Sequence, residues 1–184
     1  MAQGWVKVYY ESGKLEREVN YTDGKPMGLE KSYYESGELA SEKKYKDGLL
    51  EGVKKEYYST GRLSSIIDFK KGKYDGPWKD YYKNGQLKRD ANYKEGMPVG
   101  SEKKYYENGQ IKLEKNYKNG LMDGIQSEYY PNGKLKTEGE FKEGKISGFK
   151  EYYDNGQLHT KGVYVDNKWS SQEYDRQGNL LWEE

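Results

Sequence analysis

The sequence contains no cysteine and only one histidine. Without cysteine there can be no disulfide and no thiolate zinc site, and neither redox compartment is favoured. With one histidine there is no multi-histidine metal centre. His159, beside Leu158, reads as a surface residue rather than a general base. Charge of one sign is also missing: 32 Lys and Arg against 31 Asp and Glu leave a net charge of +1, so nucleic acid is not an expected partner. No apolar run approaches the roughly 18 residues of a membrane-spanning helix. No hydrophobic stretch follows Met1-Ala2-Gln3-Gly4 as it would in a secretion signal. The compartment therefore stays open. The first repeat begins so near Met1, with no cap before it, that a preceding segment is expected to be missing.

Apolar residues are scarce as well, at 33% with a mean hydropathy of −1.27, which by itself would suit a disordered chain. The patterning contradicts that. Gly4, Gly28, Gly52, Gly76, Gly100, Gly124 and Gly148 recur every 24 residues. A Tyr pair follows in each unit (Tyr9-Tyr10, Tyr33-Tyr34, Tyr57-Tyr58, Tyr81-Tyr82, Tyr105-Tyr106, Tyr129-Tyr130), and arrives one residue early as Tyr152-Tyr153 in the last. A second glycine series comprises Gly13, Gly37, Gly61, Gly85, Gly109, Gly133 and Gly156. A third comprises Gly24, Gly48, Gly72, Gly96, Gly120 and Gly144, with Asn167 in the seventh unit. Twenty of the 23 glycines lie on this grid, so the chain is read as tandem repeats. The units are 4–27, 28–51, 52–75, 76–99, 100–123, 124–147 and 148–170, with 171–184 as a terminal capping hairpin.

Each unit holds one phrase twice: an aromatic residue, a free position, a small polar or charged residue, then Gly. Tyr10-Glu11-Ser12-Gly13 and Tyr21-Thr22-Asp23-Gly24 are examples. Both series are expected to form type I turns closed by a glycine bulge, and Pro131 suits the first corner of such a turn. Two turns per unit leave two strands of about five to seven residues. The fold class is therefore all-β, an elongated single-layer antiparallel meander of about fourteen strands and a cap, twisted or curled, with no helices of note. At about 4.8 Å per strand it would extend about 65–70 Å.

A three-residue loop sets Tyr9 opposite Leu15, and likewise Tyr33–Leu39, Tyr57–Leu63, Tyr81–Leu87, Tyr105–Ile111, Tyr129–Leu135 and Tyr152–Leu158. Period-two alternation adds Tyr21, Tyr45, Phe69, Tyr93, Tyr117, Phe141 and Tyr164 to the same face, with Trp5, Leu29, Val53, Ile125 and Phe149. This apolar face is the candidate partner-binding surface, because a single layer leaves it to be covered by curl, self-association or a partner. The second Tyr row, the acidic row Glu18, Glu42, Asp90, Glu114 and Glu138, and Lys88, Lys112 and Lys136 are expected opposite, as a solvated face. On this assignment Tyr81→Ala and Leu87→Ala each cost about 2–4 kcal/mol.

The phrases Asp80-Tyr81-Tyr82-Lys83-Asn84-Gly85-Gln86-Leu87-Lys88 and Lys104-Tyr105-Tyr106-Glu107-Asn108-Gly109-Gln110-Ile111-Lys112 resemble the MORN repeats. More closely, they resemble the bacterial YwqK-type variant, a family associated with antitoxins of toxin–antitoxin systems. The likeness runs from residue 4 to about 167. It implies a β-meander acting as a protein–protein scaffold and, for some relatives, phosphoinositide binding; it brings no catalytic residue. The tail departs from the pattern: Tyr174-Asp175-Arg176-Gln177-Gly178 looks one turn residue too long, and Glu183 and Glu184 would discourage edge-to-edge growth.

No catalytic, cofactor or metal-ligating constellation is expected. Carboxylates are spread one per turn instead of converging, and the Asp-Gly turns lack the alternating ligands of a calcium loop. Trp5, Trp78, Trp169 and Trp182 fall out of register for aromatic choline cages. Carbohydrate stacking on the second Tyr row is weighed below structural Tyr. The sequence is thus read as a non-enzymatic scaffold that binds another protein or a second copy of itself, a homodimer included. Antitoxin or immunity action is the special case, and an anionic-lipid or cell-envelope glycan surface the alternative. No small-molecule substrate is expected.

Overall fold

The computed structural model describes residues 3–166 and 168–183. It is an all-β, open antiparallel meander, with strands following one another in chain order and no helix among the described residues. The chain divides into two compact units, Met1–Met97 and Pro98–Glu184. The first holds β1 (Gly4–Tyr9), β2 (Leu15–Thr22), β3 (Lys25–Tyr33), β4 (Leu39–Lys46), β5 (Leu49–Leu50), β6 (Gly52–Tyr57), β7 (Leu63–Lys70), β8 (Lys73–Tyr81) and β9 (Leu87–Lys94). The second begins with β10 (Met97–Tyr105), β11 (Ile111–Lys118), β12 (Leu121–Met122), β13 (Gly124–Tyr129) and β14 (Leu135–Lys142). It ends with β15 (Lys145–Tyr152), β16 (Leu158–Val165), β17 (Lys168–Tyr174) and β18 (Leu180–Glu183). There are more strands than two per repeat because two of them break, at Glu51 and Asp123, whose N–H groups turn back to the carbonyls of Lys44 and Asn116 at 2.9 Å.

The turn after each Tyr pair is the expected three-residue loop. Gly13 N–H donates to Tyr10 O and Tyr10 N–H to Lys14 O, both at 2.9 Å, with Gly13 at a φ of 81°. The same bonds recur at Gly37, Gly61, Gly85, Gly109, Gly133 and Gly156. The other turn series differs from expectation. Thr22 pairs directly with Lys25, and the two residues between, Asp23 and Gly24, lie at φ of 50° and 75°. Two consecutive positive φ values make a type I′ turn, whose twist matches the flanking strands, so no bulge is needed. Gly48, Gly72, Gly96, Gly120 and Gly144 sit in the same turn, each after a positive-φ residue that is not glycine. The Asn167 substitution lies outside the described residues, as does Glu184.

Turns also lock repeat to repeat. In the first unit Gly72 N–H donates to Leu50 O and Gly96 N–H to Tyr74 O, both at 2.8 Å. The positive-φ residue before each of these two glycines is tied by an acid one repeat earlier: Lys71 N–H to Glu51 at 2.8 Å and Glu95 N–H to Asp75 at 3.1 Å. In the second unit Glu143 N–H donates to Asp123. These bonds hold the Asp75 carboxyl below its usual range, with Lys94 assisting.

The terminal hairpin is not one residue longer than the others. Tyr174 pairs with Leu180, Asp175 N–H donates to Asn179 O, and Gly178 N–H donates to Asp175 O. Tyr174 therefore takes the place of the first Tyr, and Asp175 replaces the second.

Candidate interaction surface

Each first Tyr meets its expected partner: Tyr9 opposes Leu15, Tyr57 opposes Leu63, Tyr81 opposes Leu87, and Tyr105 opposes Ile111. Beside each pair, however, the register slips by one residue, so that Val8 opposes Arg17 while Tyr9 opposes Leu15. This bulge inverts the alternation for the rest of the returning strand. Val19 then pairs with Val6, Glu18 with Lys7, and Tyr21 with Gly4. Two expectations are thereby corrected. The aromatic row Tyr21, Tyr45, Phe69, Tyr93, Tyr117 and Phe141 lies on the face of Val19, opposite the repeat glycines, and not with Tyr9. The acidic row shares the face of Tyr9 instead. Phe149 also changes sides, because the residue missing before Tyr152 sets it in the place of Val6, paired with Gly162.

The buried apolar side chains lie on the Val19 face, which in the second unit also carries the exposed Tyr164 and Trp169. Val19, Ile67 and Ala91 are the buried apolar side chains among the described residues, at 0%, 5% and 2% exposure. Buried Glu30 takes Lys43 at 3.0 Å and Arg17 at 4.0 Å. Burial is the largest single influence and opposes the Lys43 charge, but the bond to Glu30, its negative charge and the contact with Tyr45 together outweigh it and raise the ammonium's pKa. Ser65 and the Trp78 indole both donate to Asp80, and the Arg89 guanidinium stacks 4.5 Å from the Trp78 ring. In the second unit Tyr117 donates to Glu102, and the Phe149 ring occupies the space that a side chain on Gly162 would need.

On the Tyr9 face one arrangement repeats. Glu18 meets Lys7 at 3.6 Å and accepts from the Tyr33 hydroxyl at 2.9 Å; Glu42 meets Lys31 at 3.8 Å and accepts from Tyr57 at 3.1 Å. In the second unit Glu114 meets Lys103 at 2.7 Å and accepts from Tyr129 at 3.3 Å. Burial, then the bond to a carboxylate, raises the Tyr33 and Tyr57 phenols above their ordinary range. Tyr33, Tyr57, Tyr81, Leu87, Tyr105, Ile111, Tyr129 and Tyr152 are accordingly half-buried. Apolar residues left open on this face include Trp5, Tyr9, Leu29 and Val53 in the first unit, at 63%, 56%, 44% and 47% exposure, and Ile125, Val163, Val165 and Leu180 in the second.

The second Tyr row is tied down as well. Tyr10 donates to Tyr33 O at 2.7 Å, and Tyr106 to Tyr129 O at 2.7 Å, so these hydroxyls link consecutive repeats. The acids that anchor the type I′ turns, Glu51, Asp75 and Asp123, escaped the sequence reading. Their signal is an acidic residue directly before a repeat glycine, as in Glu51-Gly52, Asp75-Gly76 and Asp123-Gly124.

A family model described as "MORN repeat variant" matches seven segments, residues 3–23, 28–47, 50–71, 74–95, 98–119, 122–143 and 149–166. No curated protein matches. Among solved structures, a chain of the TcdB2–TccC3–Cdc42 crystal structure is similar at 12% identity and a TM-score of 0.25; the match covers 96% of this chain and 13% of that one. This chain thus spans a small part of that chain's length.

Proposed function

This chain belongs to the MORN repeat variant family, and on that premise we propose that it is a non-enzymatic scaffold whose Tyr9 face binds a protein. One observation carries the reading. On a face otherwise occupied by Lys–carboxylate–Tyr contacts, Trp5, Leu29 and Val53 stand exposed in one line, at the same position of three successive repeats. Large apolar side chains framed by charged ones are the composition of a protein-binding patch. Antitoxin or immunity action is the case in which that protein is a toxin; its support is the resemblance of the Tyr-Tyr-x-Asn-Gly phrase alone. The anionic-lipid alternative draws on Lys70, Lys71, Lys73 and Lys94, which line one recess, but Asp75 and Glu95 line it too.

Site-specific photocrosslinking tests the protein-binding reading. A benzophenone side chain at Leu29 is expected to yield a discrete protein adduct, and one at Lys104, exposed on the opposite face, to yield none. Equal adducts from both positions, or none from Leu29, would overturn it.

A further inference from the structure

We propose that the Tyr9 face of the first unit pairs with the Tyr9 face of the second unit in another copy of this chain, with the strand orders reversed. This rests on the protein-binding reading and names the partner. Along the exposed position that Trp5 begins, the largest side chain, Trp5, stands in the first unit and the smallest residue, Gly148, in the second, with Leu29, Val53, Pro77, Ser101 and Ile125 between them in sequence. Trp5 is a knob, 63% exposed. Gly148 is its counterpart, the floor of a recess walled by Ile125 and Val163. A Cβ on Gly148 would lie 3.3 Å from the Gly162 carbonyl, so a larger residue there would have to displace its neighbour.

Laid in reverse, Trp5 of one copy enters the Gly148 recess of the other. Two strands further on, Leu29 then meets Ile125. Because strand spacing is the same in both sheets, fitting the first contact also sets the second. Charge agrees with size. Lys44 is the cross-strand partner of Leu29, and Glu140 is the cross-strand partner of Ile125; both are exposed. The reversed register therefore brings Lys44 onto Glu140. Running the copies in the same direction would set Trp5 on Trp5 and Lys44 on Lys44, which like charge disfavours.

The test is a charge swap read by sedimentation velocity on the full chain, whose monomer mass is 21.5 kDa. At about 100 μM the unmodified protein is expected to sediment as a dimer, and Lys44→Glu or Glu140→Lys alone to weaken the dimer at least about tenfold. The double exchange Lys44→Glu with Glu140→Lys is expected to restore it. Both sites are exposed, so thermal midpoints of all three variants should match the parent when measured at a dilution where the parent too is monomeric. A monomeric parent, unaffected single variants, or a double variant that stays dissociated would overturn the pairing. A monomeric parent that still yields a Leu29-dependent adduct with a different protein would refute self-pairing and leave the protein-binding reading standing.

Discussion

The hydroxyl of Tyr34 donates to the backbone carbonyl of Tyr57 at 2.6 Å, from one repeat to the next. The pairing of β4 with β6 ends at Ser41–Glu56, so no ladder pair covers Tyr57 on that side. The contact recurs from Tyr10 to Tyr33 and from Tyr58 to Tyr81, and in the second unit from Tyr130 to Tyr152. Tyr34→Phe keeps the ring and removes the donor. It is expected to lower stability by about 1 kcal/mol, measured by urea denaturation.

With three buried apolar side chains among the described residues, position decides the cost of truncation. Ile67→Ala is expected to cost about 2–4 kcal/mol. Tyr81 and Leu87 are half-buried, so Tyr81→Ala and Leu87→Ala should each cost roughly 1–2 kcal/mol, less than a buried row would suggest. Chemical denaturation of the three variants side by side provides the ranking.

Lys71 holds a φ of 50° at the first central position of a type I′ turn, a conformation that a Cβ makes unfavourable and asparagine tolerates. Asn119 already occupies the equivalent place at 52°. Lys71→Asn is therefore expected to raise stability by about 0.5–1 kcal/mol, seen as a higher thermal midpoint.

Much of this was legible in the residues, because glycine and Tyr spacing reports the turn period directly. The Tyr–Leu pairings followed from the loop length alone. The sides on which Tyr21 and Glu18 fall did not, because a one-residue bulge between Arg17 and Leu15 leaves composition untouched while reversing every side chain beyond it. The type I′ turns were missed for a related reason. Lys71, Glu95 and Glu143 are poor formers of positive φ, and they are held there by Glu51, Asp75 and Asp123 from the preceding repeat, contacts that local propensity does not register.

Alkaline pH should loosen the Tyr9 face. The phenols of Tyr33 and Tyr57 are raised above the ordinary 10.0 by burial and by donating to Glu18 and Glu42. A raised pKa contributes stability that is complete below 10.0 and is lost as pH climbs through the folded value. Lys103, raised by its bond to Glu114, acts in the same direction. Phenolate absorbance should show these tyrosines ionising after the exposed ones, together with a falling thermal midpoint.

The most direct check on the division of labour between the two faces is to measure unfolding and association together on one variant, Leu29→Glu. The predicted result is a thermal midpoint within about 2 °C of the parent, with protein association through this face lost. A midpoint that falls as far as that of Ile67→Ala, or association that survives the new charge, would contradict the account.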